Sequence, residues 1–265
     1  MVILDFHVHL YNCYDLGTVL TTAHESFHRL QRARAAATTA GVLLLAESRG
    51  YDRFAELREH GVPDSGWQVE RTGESCSLRC VNRDKIIYVI RGRQMNTAEH
   101  LEVLALCTDA DIDDGQSLAA TVQAAAAGGG IAVLPWGAGK WTGRRGRIIR
   151  EFLETTRDKV FLGDNGGRPV GWPEPKHFDL ARKKRIPILP GSDPLPLPGE
   201  ERRVGSYGGI LAARLPGGSV ASTLRQVLLQ SPEVEPVGRR RSLFTFFLHQ
   251  VRLRLAPYSC GKNNV

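Results

Sequence analysis

The chain has 265 residues, 42% hydrophobic and 24% charged, with a formal net charge of +7. This composition excludes a disordered or collagen-like chain, and the length suits one large α/β core. No apolar run is long enough to span a bilayer, and the positive charge sits in separate clusters rather than in an aromatic-interleaved track, so nucleic acid is not favoured as a partner.

In chain order, short apolar runs bounded by Gly, Pro or Asp alternate with helical periodicity. Strands are expected at residues 2–10, 41–47, 101–106, 131–136, 159–164, 186–193 and 208–215, and helices at 16–39, 51–60, 117–127, 145–156, 174–185 and 219–230. This rhythm predicts βα units closed into a distorted (β/α)7 or TIM-like barrel. Residues 66–94 switch to period two and read as an antiparallel β excursion inserted between barrel units. The domain is expected to run over 1–256, leaving 257–265 as a tail. The stretch RRRSLFTFFLHQVRLRL predicts an amphipathic terminal helix whose many bulky apolar residues favour packing on the domain over lying on a membrane surface, with contact between copies of the chain left open.

The N-terminus lacks the positive flank and cleavage site of a signal peptide. Five scattered cysteines do not form a disulfide framework, so reduced thiols and a cytoplasmic, membrane-free protein are expected. Cys76 and Cys80 lack the second pair of a zinc knuckle.

Two histidine motifs compete for a metal. His24, Glu25 and His28 form H-E-x-x-H, the spacing of a zinc protease helix. However, Leu16, Leu20, Ala23, Phe27 and Leu30 define the packed stripe of that helix, and at ~100° per residue the three motif residues point sideways or into solvent. On the first strand, alternation puts Val2, Leu4, Phe6, Val8 and Leu10 on one face, suited to a helix layer, and Ile3, Asp5, His7 and His9 on the other. Two imidazoles at a strand end can share one ion, with Asp5 supporting them.

Further candidates follow along the chain. Asp164, at a strand end in FLGDNGG, is an oxygen donor or a loop cap. His100 and Glu102 share a strand face. The loop LPWGAGKWTGRRGR is Gly-rich and runs into a helix, so Lys140, Arg144 and Arg145 are candidate anion binders, although Leu134 and Trp141 exclude a Walker A loop. TDADIDDG echoes a calcium loop, but Asp114 replaces the glycine and Ala120 the terminal glutamate, which favours a solvated capping turn.

The D-x-H-x-H of the first strand, with the late GSD, resembles the PHP (polymerase and histidinol phosphatase) family and the wider amidohydrolase-like metal-dependent hydrolases. The resemblance implies a divalent ion (zinc, manganese or iron) at the mouth of a barrel. His7 and His9 would be ligands, Glu47 or Glu102 a carboxylate ligand, and Asp193 the acidic residue of the last motif. It departs at LPWG, where Trp136 follows Pro135, and at Asp193-Pro194-Leu195, where a histidine is absent two positions on. The expected function is a metal-dependent phosphoesterase acting on a small anionic substrate. Asp193 would ligate or accept a proton, and Lys140 and Arg144 would hold the anion. The alternatives are an amidohydrolase, and a non-catalytic barrel that has lost part of its metal site and binds an anionic ligand or a partner protein.

Overall fold

A computed structural model describes residues 1–33 and 40–255. The chain runs through β1 (Val2–Val8), α1 (Leu16–Ala33), β2 (Gly41–Leu45), α2 (Arg53–His60), β3 (Gln68–Arg71), β4 (Ser77–Asn82), β5 (Lys85–Ile90) and β6 (Gly92–Asn96). It continues through β7 (Glu102–Leu106), α3 (Leu118–Ala127), β8 (Ile131–Pro135), α4 (Gly143–Thr155), β9 (Val160–Asn165), α5 (Lys176–Lys184) and β10 (Ile188–Gly191). The described chain closes with β11 (Tyr207–Leu211), α6 (Val220–Leu229), β12 (Glu235–Gly238) and α7 (Leu243–Leu255). The end of the expected first helix, 34–39, and the tail at 257–265 lie outside the described residues.

The strands form two sheets and no closed barrel, which corrects the expected architecture. One sheet has the order β12-β11-β1-β2-β5-β4-β3 and the other β10-β9-β8-β7-β6. The reason is local to β1. Barrel closure needs a free edge on β1 for the last parallel strand, but β11 occupies that edge antiparallel, pairing Val2 with Leu211 and Leu4 with Gly209. A second departure is that β7 and β8, joined through α3, pair antiparallel. Residues 66–94 are also more than an excursion: β3, β4 and β5 pair antiparallel as expected, but β5 then pairs parallel with β2 inside the main sheet.

The apolar residues sort into three clusters that explain the layering. Val2, Leu4, Phe6, Val42, Leu44, Leu104, Val133, Phe161 and Leu189 come from both sheets and pack together, with Leu224 and Leu228 of α6 against them. Ile3, Leu43 and Ile87 face Leu20, Ala23 and Phe27 of α1. Val103, Leu134 and Leu162 face Val122, Ile149 and Phe178 of α3, α4 and α5. The apolar face of β1 at Val2, Leu4 and Phe6 therefore meets the other sheet, not a helix layer as expected. The face switches along the strand, because the β1–β2 register shifts between Asp5 and Val8 and Val8 packs with Ile3. Such irregularities re-aim side chains beside functional sites.

Cys76, Cys80 and Cys107 are free thiols, as expected, whereas Cys13 is disulfide-bonded. No described helix is long and apolar enough to cross a membrane.

Candidate metal centre

The sheets touch along two seams. At one, the Glu47 N–H donates to the Gly92 carbonyl and the Gln94 N–H to the Glu47 carbonyl. At the other, the Asp193 N–H donates to the His7 carbonyl over 2.8 Å, immediately after β10. The second seam is close because residue 191 is glycine: a Cβ there would lie 2.4 Å from the His7 nitrogen. Asp5 fixes both sides of it. Its buried carboxylate accepts from the backbone N–H of His7 (3.2 Å), Ser192 (2.8 Å) and Gly205 (2.9 Å). Burial nevertheless pushes the Asp5 carboxyl up to about 7 against the pull of these bonds.

This clamp brings His7, His9 and Asp193 together. Among the described residues they are the one group of three or more His, Cys, Asp or Glu side chains whose donor atoms converge, all within 4.8 Å. The two Nε2 atoms are 3.0 Å apart, and each is 3.6 Å from Asp193 Oδ1. A point equidistant from the corners of this triangle lies about 2.0 Å from each, the bond length of nitrogen and oxygen ligands on zinc. His7 Nδ1 is buried with no hydrogen-bond partner among the described residues. The convergence of the three donors fits a divalent ion, and the bare Nδ1 leaves His7 without the second partner that commonly orients a ligating imidazole.

The electrostatics agree. Burial lowers His7 to about 4, with Glu102 opposing, and lowers His9 to about 3, reinforced by His7. Both imidazoles are thus neutral near pH 7, with lone pairs to donate. Burial raises the Asp193 carboxyl above its ordinary value, with His9 opposing. Asp193 also holds a left-handed backbone at φ 46°, a strained conformation for a residue other than glycine.

The triad opens into a cavity of about 350 Å³ whose wall includes Gln94, Glu102, Trp136, Lys140 and Arg241. Glu102 accepts from Lys140 Nζ and, over 3.3 Å, from Gln94 Nε2. Trp136 fills the wall where the resemblance called for a histidine.

Other expected donors lie elsewhere. Glu47 caps α2, accepting the Arg53 and Phe54 N–H groups at 2.6 and 3.1 Å. Asp164 is gripped by Arg168 at 2.7 and 2.8 Å and by the Tyr207 hydroxyl at 2.7 Å. Arg144 is exposed, and Arg145 donates to the Gly139 and His100 carbonyls. His100 is exposed with φ 58°. His24 and His28 stack on the surface of α1, ring centroids 6.1 Å apart, and share no converging cluster with Asp193.

Sequence reasoning missed the roof. His249, Gln250 and Leu253 of α7 line the cavity, and the helix is anchored through Arg241, which donates to Glu200 and to His249 Nδ1 at 2.7 Å. The RRR run gave no sign that its third arginine is buried while the other two are not. Glu200 opens a single 3-10 turn, Glu200–Arg203, with no apolar pattern to mark its burial.

No family model matches the chain, and no curated protein matches it. Among solved structures, the crystal structure of PsfC from Pseudomonas syringae PB-5123 superposes with a TM-score of 0.57 at 12% identity, over 96% of this chain and 98% of that one. At that identity the likeness is one of fold alone, and fold does not carry function.

Proposed function

We propose that this protein is a metal-dependent hydrolase acting on a small anionic substrate at the His7, His9 and Asp193 centre. One observation carries the reading: two neutral imidazole nitrogens and a carboxylate oxygen converge on a point about 2 Å from each, at the wall of a cavity. A divalent ion held by His7, His9 and Asp193 would supply Lewis-acid chemistry and activation of water near neutral pH. The chain's own residues do the rest. Asp5 holds the backbones of His7 and Ser192 in register and so aims both sides of the centre. Asp193 also offers a carboxylate to accept a proton within the cavity. Lys140, ion-paired with Glu102 yet about a third exposed, keeps ammonium protons for an anionic oxygen, whereas Arg241 is buried and bonded to Glu200 and His249.

Preference for a phosphoester over an amide rests on Lys140 alone, because Arg144 and Arg145 lie off the cavity wall. A second reading, a non-catalytic binder, draws support from Trp136 and from the Lys140–Glu102 pair, which occupy wall positions that further ligands would need.

Metal analysis of protein purified without chelator separates the two. Stoichiometric divalent metal, lost in His7→Ala and His9→Ala variants that keep their fold, together with turnover of phosphomonoester or amide substrates, is expected of the hydrolase. Metal-free, folded protein would favour the binder.

A further inference from the structure

Helix α7 has two unlike faces. Its inner residues, Phe246, His249, Gln250 and Leu253, are at least partly buried toward the cavity, yet a second stripe at three- and four-residue spacing stands in solvent. That stripe is Phe244 (78% exposed), Phe247 (57%), Leu248 (37%), Val251 (51%) and Leu255 (80%). Beside the inner side of the helix, the loop before α5 exposes two further apolar residues. These are Val170 and Trp172: the Val170 N–H donates to the Arg241 carbonyl, and the Trp172 ring packs 5.9 Å from Phe246. Scattered surface apolar residues need no explanation, but a contiguous patch of bulky ones does.

Charge decides what covers it. Residues 236–265 contain Arg239, Arg240, Arg241, Arg252, Arg254 and Lys262 and no acidic residue. Arg241 is neutralised by Glu200, while Arg239, Arg240, Arg252 and Arg254 have no ion pair among the described residues. On a helical projection Arg252 and Arg254 fall roughly 80° to either side of the exposed stripe. A second copy is a poor occupant. Parallel pairing sets these arginines against themselves, and antiparallel pairing centred on the stripe offers them no partner, because the segment holds no acidic residue. An apolar stripe flanked on both sides by cations is the pattern of a helix lying in a membrane interface, with its arginines at the headgroups.

We infer that the outer face of α7 docks on an anionic lipid surface while its inner face roofs the cavity. The inference does not depend on the hydrolase reading.

Sedimentation of the full chain with phosphatidylcholine vesicles, with and without about 30% phosphatidylglycerol, tests it at about 0.1 M and about 0.5 M salt. Binding to the anionic vesicles, weakened by salt, is expected. Phe244→Glu with Phe247→Glu should reduce it at least about tenfold, with the thermal melt unchanged because both side chains are exposed. Arg252→Ser with Arg254→Ser should weaken binding to anionic vesicles. Wild-type protein left in the supernatant, or an equal pellet for the Phe244→Glu, Phe247→Glu variant, overturns the inference. So does a dimer in light scattering that the glutamate variant dissolves without any vesicle binding, which would assign the face to a second copy.

Discussion

Replacing Glu47 with glutamine separates two roles for this carboxylate, helix cap and metal ligand. Glu47 is 3% exposed and accepts two backbone N–H groups at the start of α2. Burial first, then the Asp52 charge, pushes it up to about 7, and the N–H groups of Phe54 and Arg53 and the Arg91 charge pull less strongly the other way. Against its ordinary value of 4.5 this is roughly 2.5 units, or about 3 kcal/mol at about 1.4 kcal/mol per unit. Because the folded value is the higher one, the stability is present below about pH 4.5 and is lost as pH rises to about 7. Glutamine keeps an acceptor for the α2 amides and removes the buried charge. In urea unfolding with chelator, read by tryptophan fluorescence, the variant should gain about 2–3 kcal/mol on wild type between about pH 5 and about pH 8. Its metal content should match wild type. Parallel pH profiles, or metal lost from the variant, would refute the capping role.

Three other sets of variants test the remaining assignments. Arg241→Met should leave the buried Glu200 carboxylate uncompensated and cost about 3–5 kcal/mol, seen as a lower Tm, and a further Glu200→Met change should restore part of it. His24→Gln with His28→Gln should leave metal content unchanged, since the pair lies apart from the converging cluster; zinc lost from that variant would reinstate a site on α1. If phosphate binds in the cavity, thermal stabilisation by added phosphate should survive Arg144→Ser with Arg145→Ser and disappear in Lys140→Met. The reverse pattern would move the anion site onto the α4 loop.

The strands and helices were legible because burial imposes periods on the sequence, and seven strand runs and seven helical runs were placed to within a few residues. Their arrangement was not. The GVLLL of β2 and the EVLAL of β7 are equally apolar, yet β2 pairs parallel with β1 and β7 pairs antiparallel with β8. Side-chain alternation records which face is buried, not which way the neighbour runs. In the centre, His7 and His9 were legible because two imidazoles on an otherwise apolar strand stand out, and Asp193 because its GSD follows a strand. The fates of Glu47 and Asp164 were not, because their carboxylates are taken by backbone amides of α2 and by Arg168 and Tyr207, partners that tertiary packing supplies. Arg241 was hidden for a related reason: its burial is set by Glu200, forty-one positions away.

The three donors of the centre do not belong to one sheet. His7 lies in β1 and His9 just beyond it in the seven-stranded sheet, whereas Asp193 follows β10 of the five-stranded one, across a seam with no strand ladder. An ion gripped by all three is therefore also a clasp between the sheets. Linkage makes this reciprocal: metal at a hundred times its dissociation constant would add about 2.7 kcal/mol to the docked state, and whatever loosens the docking would weaken the grip on metal by the same amount. The other seam, where Glu47 bridges to Arg93, would then act as a remote control of that affinity. A substitution that frays it would release metal without altering a single donor atom.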